Sequence, residues 1–154
     1  MSPLRLNHVS VTCADFDRSL AFYRDLLGLE VLDQGELSSE ESPAHGEIIG
    51  LGPVRLRFAE IALGEHAFLE LFEYLDPRGK PTSSRTCDPG DVHFALTVDV
   101  DIEKLHRRLE EAGVATRSRP ATLTRGEWTG AKAFYASDPD GVTVEFIEFA
   151  AGHG

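Results

Sequence analysis

One pattern occurs twice in this chain, and the duplication limits its fold more than any single motif does. At a constant offset of 85, "HVSVTCADFDRSLAFYRDLLGLEV" (His8–Val31) lies over "HFALTVDVDIEKLHRRLEEAGVAT" (His93–Thr116). His8 meets His93, Thr12 meets Thr97, Leu20 meets Leu105 and Gly28 meets Gly113. Further on, "AFLELFEY" (Ala67–Tyr74) lies over "VTVEFIEF" (Val142–Phe149) at an offset of 75, which pairs Glu70 with Glu145 and Glu73 with Glu148. The offset drops from 85 to 75, so the second copy is ten residues shorter between its helix and its last strand. A duplicated module explains this, and repeats of this kind fix an architecture before any local reading does.

Each copy reads strand, helix, then three strands. The first strand is expected at about Leu4 to Thr12. Asp15 is a suitable N-cap for a helix whose apolar positions Phe16, Leu20, Tyr23 and Leu27 recur at helical spacing. Gly28 suits the left-handed residue that ends it. In the second copy Ile102, Leu105, Leu109 and Ala112 form the stripe and Gly113 the stop. Three strands should follow each helix, near Glu30–Leu37, Val54–Leu63 and Ala67–Tyr74, then near Ala115–Arg119, Ala131–Ala136 and Val142–Phe149. "SDPDG" (Ser137–Gly141) has the Pro and Gly of a tight turn. The stretch Asp33–Pro53 reads as the main irregular insertion, a lid or a solvated acidic loop with a short helix near Gly46–Leu51. The expected fold is α+β, two tandem βαβββ modules (residues 4–76 and 90–150) forming a curved sheet around a metal-containing groove, all within one domain of residues 1–154.

Strand side chains alternate between faces. Val9 and Val11 oppose His8, Ser10 and Thr12, while Phe94, Leu96 and Val98 oppose His93, Ala95 and Thr97. Leu69 and Leu71 oppose Phe68, Glu70 and Phe72, and Val144 and Phe146 oppose Thr143, Glu145 and Ile147. The purely apolar faces are seats for the helices. The opposite faces bring His8, Glu70, His93 and Glu145 into one groove with an apolar wall, the makeup of a ligand pocket. Carboxylates in a partly dry groove cost several kcal/mol unless compensated. A divalent cation removes that cost, and imidazole nitrogen with carboxylate oxygen suits Ni, Zn, Co, Mn or Fe. On the same strand alternation, Val54, Leu56 and Phe58 should take the helix side. Arg57 is then left facing the groove as a handle for an anionic substrate, unless it pairs with a neighbouring carboxylate. Trp128, in "TRGEWTG", is placed to cover the groove mouth. Phe68, Phe72 and Thr97 complete the expected substrate-binding set.

The formal net charge of −11 argues against nucleic acid, whose phosphates call for clustered Lys and Arg. The opening residues contain no apolar stretch long enough for a signal peptide or a membrane span. Cys13 and Cys87 have no C-x-x-C spacing and read as free thiols in a reducing compartment. A cytoplasmic protein without a membrane partner is the expectation.

"LNHVSVTCADFDRSLAFYRDLLGLEV", "LELFEY", "VHFALTVD" and "FYASDPDGVTVEFIE" together resemble the vicinal oxygen chelate superfamily. That superfamily includes glyoxalase I, methylmalonyl-CoA epimerase, extradiol dioxygenases, fosfomycin-resistance enzymes and bleomycin-binding proteins. The likeness implies a glyoxalase-like domain holding one divalent metal ion on His8, Glu70, His93 and Glu145. Two neighbouring substrate oxygens would chelate the ion, with Glu70 and Glu145 as the catalytic carboxylates that move the proton. It implies a metal-dependent lyase or isomerase acting on a small oxygenated substrate, and a homodimer. A three-ligand Fe(II) extradiol-type dioxygenase and a drug- or metabolite-binding protein are the alternatives. Thr12 departs from the glyoxalase pattern, which has Arg four residues after the first metal His to hold glutathione. A glutathione adduct is therefore a poor fit as substrate.

Overall fold

In the computed structural model, residues 4–150 are described, and the chain divides into two compact units with their boundary between Thr82 and Ser83. The first contains β1 (His8–Thr12), α1 (Phe16–Leu20), β2 (Val31–Ser38), α2 (Pro43–Ile49), β3 (Arg55–Ala62) and β4 (Phe68–Asp76). The second contains β5 (Phe94–Thr97), α3 (Ile102–Glu111), β6 (Ala121–Thr122), β7 (Lys132–Ser137) and β8 (Thr143–Glu148). Each has one four-stranded sheet, ordered β1-β4-β3-β2 and β5-β8-β7-β6. The first strand of each unit runs parallel to the last, and the remaining pairs are antiparallel. The repeat in the sequence is thus a repeat in topology, and the fold is α+β with two βαβββ modules.

The helices start and stop where their polar signals lie. Asp15 Oδ1 accepts from the Arg18 N–H at 3.0 Å, and Gly28 closes the helical segment at φ 78°. Beyond Leu20 the helix widens into π-type turns over Ala21–Leu26, with Leu27 N–H donating to Phe22 O at 3.0 Å. Asp101 Oδ1 accepts from Glu103 N–H at 2.9 Å and Lys104 N–H at 3.2 Å, and Gly113 stands at φ 78°. Each helix covers one face of its own sheet. In the first unit Val11, Phe16, Leu20, Ala59, Ile61, Leu69 and Leu71 are buried; in the second Ile102, Leu105, Leu109, Phe134, Val144 and Phe146 are buried. Burying a side chain of this size contributes about 1.5–3 kcal/mol, which is what seats the helices.

Four expectations need correction. The first strand begins at His8, with Leu4 and Leu6 exposed, because its partner β4 begins at Phe68, whose N–H donates to Asn7 O at 3.4 Å as the last contact of the ladder. Ala115–Arg119 is not a regular strand. It makes only the bridge Thr116–Ala136 and neighbouring hydrogen bonds before Pro120, which has no N–H to donate; the short strand lies at Ala121–Thr122. The supposed insertion is largely ordered: Asp33–Ser38 continues edge strand β2, and the helix is Pro43–Ile49, ended by Gly50 at φ 76°. Finally, Arg57 is on the helix side. Its β4 partner is Glu73, in alternation with Ala59–Leu71 and Ile61–Leu69, whereas Phe58 pairs with Phe72 on the face of Glu70.

Candidate functional site

In the first unit the open face of the sheet carries His8 from β1 and Glu70 from β4. The parallel register aligns His8 with Phe68 and Ser10 with Glu70, so the two side chains emerge on one face a step apart. His8 Nε2 stands 3.1 Å from Glu70 Oε2. At the other ring nitrogen, His8 Nδ1 is 2.7 Å from Asn7 Oδ1. A proton on Nδ1 donated to that oxygen leaves the Nε2 lone pair turned towards Glu70. Phe68 lies beside the imidazole, with ring centroids 5.2 Å apart. Glu60 on β3 is directly opposite Glu70, and Phe58 is opposite Phe72. Phe72 and Tyr74 meet edge to face at 6.3 Å. Burial, with the Glu70 charge second, raises the Tyr74 hydroxyl above its usual range.

The second unit repeats the pair. His93 Nε2 stands 3.3 Å from Glu145 Oε2. The same nitrogen is 3.4 Å from the Tyr135 hydroxyl, and the two rings lie 5.0 Å apart. Tyr135 is the β7 residue opposite Glu145, and burial followed by the Glu145 charge pushes its hydroxyl upward. Thr97 is exposed at the end of β5, aligned with Ile147. Among the described residues the candidate metal donors are grouped in twos: no set of three or more His, Cys, Asp or Glu is gathered as a metal cluster. Each pair does fit a divalent ion. Two donors at about 2.1 Å from one cation are separated by about 3.0–3.4 Å in octahedral or tetrahedral geometry, and both pairs fall in that interval.

Two further residues of the expected set, Arg57 and Trp128, make contacts outside these pairs. Arg57 donates to both carboxylate oxygens of Asp17, at 2.9 and 3.1 Å, lies 3.8 Å from Glu73, and stacks on Phe16 with its guanidinium carbon 4.3 Å from the ring centre. That hydrogen-bonded pairing holds the Asp17 carboxyl below its usual range. Trp128 is half exposed and packs edge to face on Phe149 at 6.2 Å. His106 is buried between Ser118 O and Glu110, a structural role. Sequence reading missed Asn7, Glu60 and Tyr135. Tyr135 and Glu60 could have been found by extending the alternation argument to β7 and β3; Asn7 gives no periodic signal.

Two βαβββ modules, each with a His–Glu pair at equivalent positions, are the setting for the chain's likeness to known proteins. The family model of the Glyoxalase/Bleomycin resistance protein/Dioxygenase superfamily matches residues 5–146, and the chain belongs to that superfamily. A lactoylglutathione lyase of Salmonella typhimurium is 30% identical over 152 residues, covering 98% of each chain. A 2-epi-5-epi-valiolone epimerase of Actinomyces is 29% identical over 148 residues, covering 96% of this chain and 80% of its own. Among solved structures, a glyoxalase family protein of Bacillus cereus superposes with a TM-score of 0.81 at 19% identity, covering 98% of this chain and 97% of the other; this is a likeness of fold. The chain's relatives thus include enzymes named as a lyase and as an epimerase. No helix among the described residues is long and apolar enough to cross a membrane.

Proposed function

We propose that the protein is a metal-dependent lyase or isomerase of the glyoxalase and epimerase type, acting on a small molecule with two neighbouring oxygens. The observation that supports it is the duplicated pair, His8 with Glu70 and His93 with Glu145, each with its donors spaced as two ligands of one ion would be. In this reading the four side chains hold a single divalent ion, which when bound supplies Lewis acidity to the substrate's oxygens. His8 and His93 serve as neutral donors, with Asn7 keeping the His8 proton on Nδ1. A carboxylate oxygen of Glu70 or Glu145 accepts the proton from the carbon next to the substrate carbonyl and returns it. The hydroxyl of Tyr135, kept protonated, stays a hydrogen-bond donor at the His93 side. The proposed unit is one domain, active in a homodimer in the cytoplasm.

The test is metal titration of the chelator-treated protein followed by solvent-deuterium exchange into dihydroxyacetone, a neutral compound with adjacent oxygens. Exchange that needs the added ion and disappears in Glu145→Gln is the expected outcome. Ion-dependent oxygen uptake with catechol, without exchange, would instead make the protein a dioxygenase. A protein that takes up no ion and still binds aromatic compounds would be a sequestering one.

A further inference from the structure

The open faces differ from the helix-bearing faces in one property that bears on substrate: among the described strand residues they carry no Lys or Arg other than Arg55, which pairs with Asp76 at the bulged start of β3, away from Glu70. On the first sheet the face runs through His8, Ser10 and Thr12, then Phe68, Glu70 and Phe72, then Phe58, Glu60 and Ala62. On the second it runs through Ala95 and Thr97, then Thr143, Glu145 and Ile147, then Ala133, Tyr135 and Ser137. Two strand cations nearer the pairs are turned away and engaged. Arg57 is fixed to Asp17 on the helix side, and Lys132 Nζ lies 3.2 Å from Glu103 Oε1, also on the helix side.

The first face adds a charge of the opposite sign. Glu60 is the cross-strand neighbour of Glu70, and residues so placed have Cβ atoms about 4.5–5.5 Å apart. If Glu70 is engaged with a cation, Glu60 is the next negative charge a substrate meets. One step along the register stand Phe58 and Phe72, half-buried, and Tyr74 lies a step beyond, edge to face with Phe72. Gly35 makes room for one of them, since a Cβ there would come within 3.2 Å of the Phe58 ring.

We propose that this face selects an uncharged ring compound with vicinal oxygens, held by aromatic contact, and that Glu60 is a specificity-determining residue that repels substrates bearing a further carboxylate or phosphate. This rests on the metal-chelating reading given above and adds the substrate class. Aromatic walls suit flat or ring-shaped ligands, while an anionic group near Glu60 would lose hydration and meet a like charge.

Calorimetric titration of the Zn-loaded protein with catechol and with 3,4-dihydroxybenzoate, which differ by one carboxylate, tests it. Catechol should bind about tenfold more tightly or better, the order of effect expected of one like charge at short range in a partly screened site. Glu60→Gln should narrow the ratio, and Glu60→Lys should invert it. Equal or tighter binding of the benzoate by the wild type, or a ratio unchanged in Glu60→Lys, overturns the assignment. The same titrations on metal-free protein separate the two readings: binding that does not need the ion removes the chelation reading, while the catechol-to-benzoate ratio still judges the role of Glu60.

Discussion

Asn7 gives His8 a second anchor that His93 does not have at the same place, because the equivalent residue there is Val92, which has no side-chain acceptor. A ligand imidazole whose far nitrogen is hydrogen-bonded has its ring orientation and tautomer fixed, and losing such a partner typically costs about 10–100-fold in metal affinity. Asn7 is exposed, so the lower end applies. Asn7→Val should weaken Zn binding by about tenfold in a competition titration with a chromophoric chelator, and Asn7→Asp should restore it. Unchanged affinity in Asn7→Val would leave the contact without a role. A different single-residue constraint lies at Gly46 in α2. A Cβ built there would come within 1.9 Å of Gly52 O, which is backbone and cannot swing away. Gly46→Ala should therefore destabilise the protein by about 1–3 kcal/mol, as overpacking does, and chemical denaturation would show it.

The elements share a device that the duplication carried along. In the first unit Arg57 on β3 lies opposite Glu73 on β4 and reaches Asp17 in the first turn of α1. In the second, Lys132 on β7 lies opposite Glu148 on β8 and reaches Glu103 in the first turn of α3, while Glu148 Oε1 accepts from Ile102 N–H at 3.3 Å. These pairs tie each helix start to its sheet and set the cations on the side away from the candidate site. The caps make a pH prediction. Hydrogen bonds from the backbone N–H of Lys104 and then of Glu103 hold the Asp101 carboxyl below its unperturbed value of 3.8. A depressed folded-state pKa contributes stability above the unfolded value and loses it as pH falls through the folded one. Asp101→Ala should then lower Tm by about 2–4 °C near pH 7, and the gap from wild type should narrow as the pH falls below the unperturbed carboxyl value. Part of this was legible beforehand: helical spacing with Asp15 at the first start and Gly28 and Gly113 at the stops, and alternation in β4 and β8, whose two faces differ in polarity. Strand β3 misled because it is apolar on both faces: Leu56 is buried on one as Ala59 and Ile61 are on the other, and Phe58 looks as fit for the core as they do. What decides its face is the tertiary pairing of Arg57 with Asp17 and Glu73. Edge strand β2 was partly hidden because a solvated edge accepts Asp, Gln, Gly and Glu without alternation.

At the scale of the whole molecule, the question the duplication raises is whether two His–Glu pairs are two sites or halves of one. Two protein donors make a weak site, whereas stable divalent centres draw on three or four. If each pair bound its own ion, removing one pair would halve the stoichiometry and leave the other's affinity untouched. If four donors hold one ion, removing either pair should abolish tight binding altogether. The double variant His8→Ala/Glu70→Gln and its counterpart His93→Ala/Glu145→Gln decide this by native mass spectrometry and thermal melts with added Zn or Ni. An ion that binds only the folded chain stabilises it by about 2.7 kcal/mol at a hundred times its Kd, a rise of about 5–10 °C in Tm for a chain of this length. The wild type should show that rise with one ion per chain, and both double variants should lose it entirely. A half-sized rise with half the ion in each variant would mean that the duplication produced two independent sites. The proton transfer assigned here to Glu70 and Glu145 on a shared ion would then have no support.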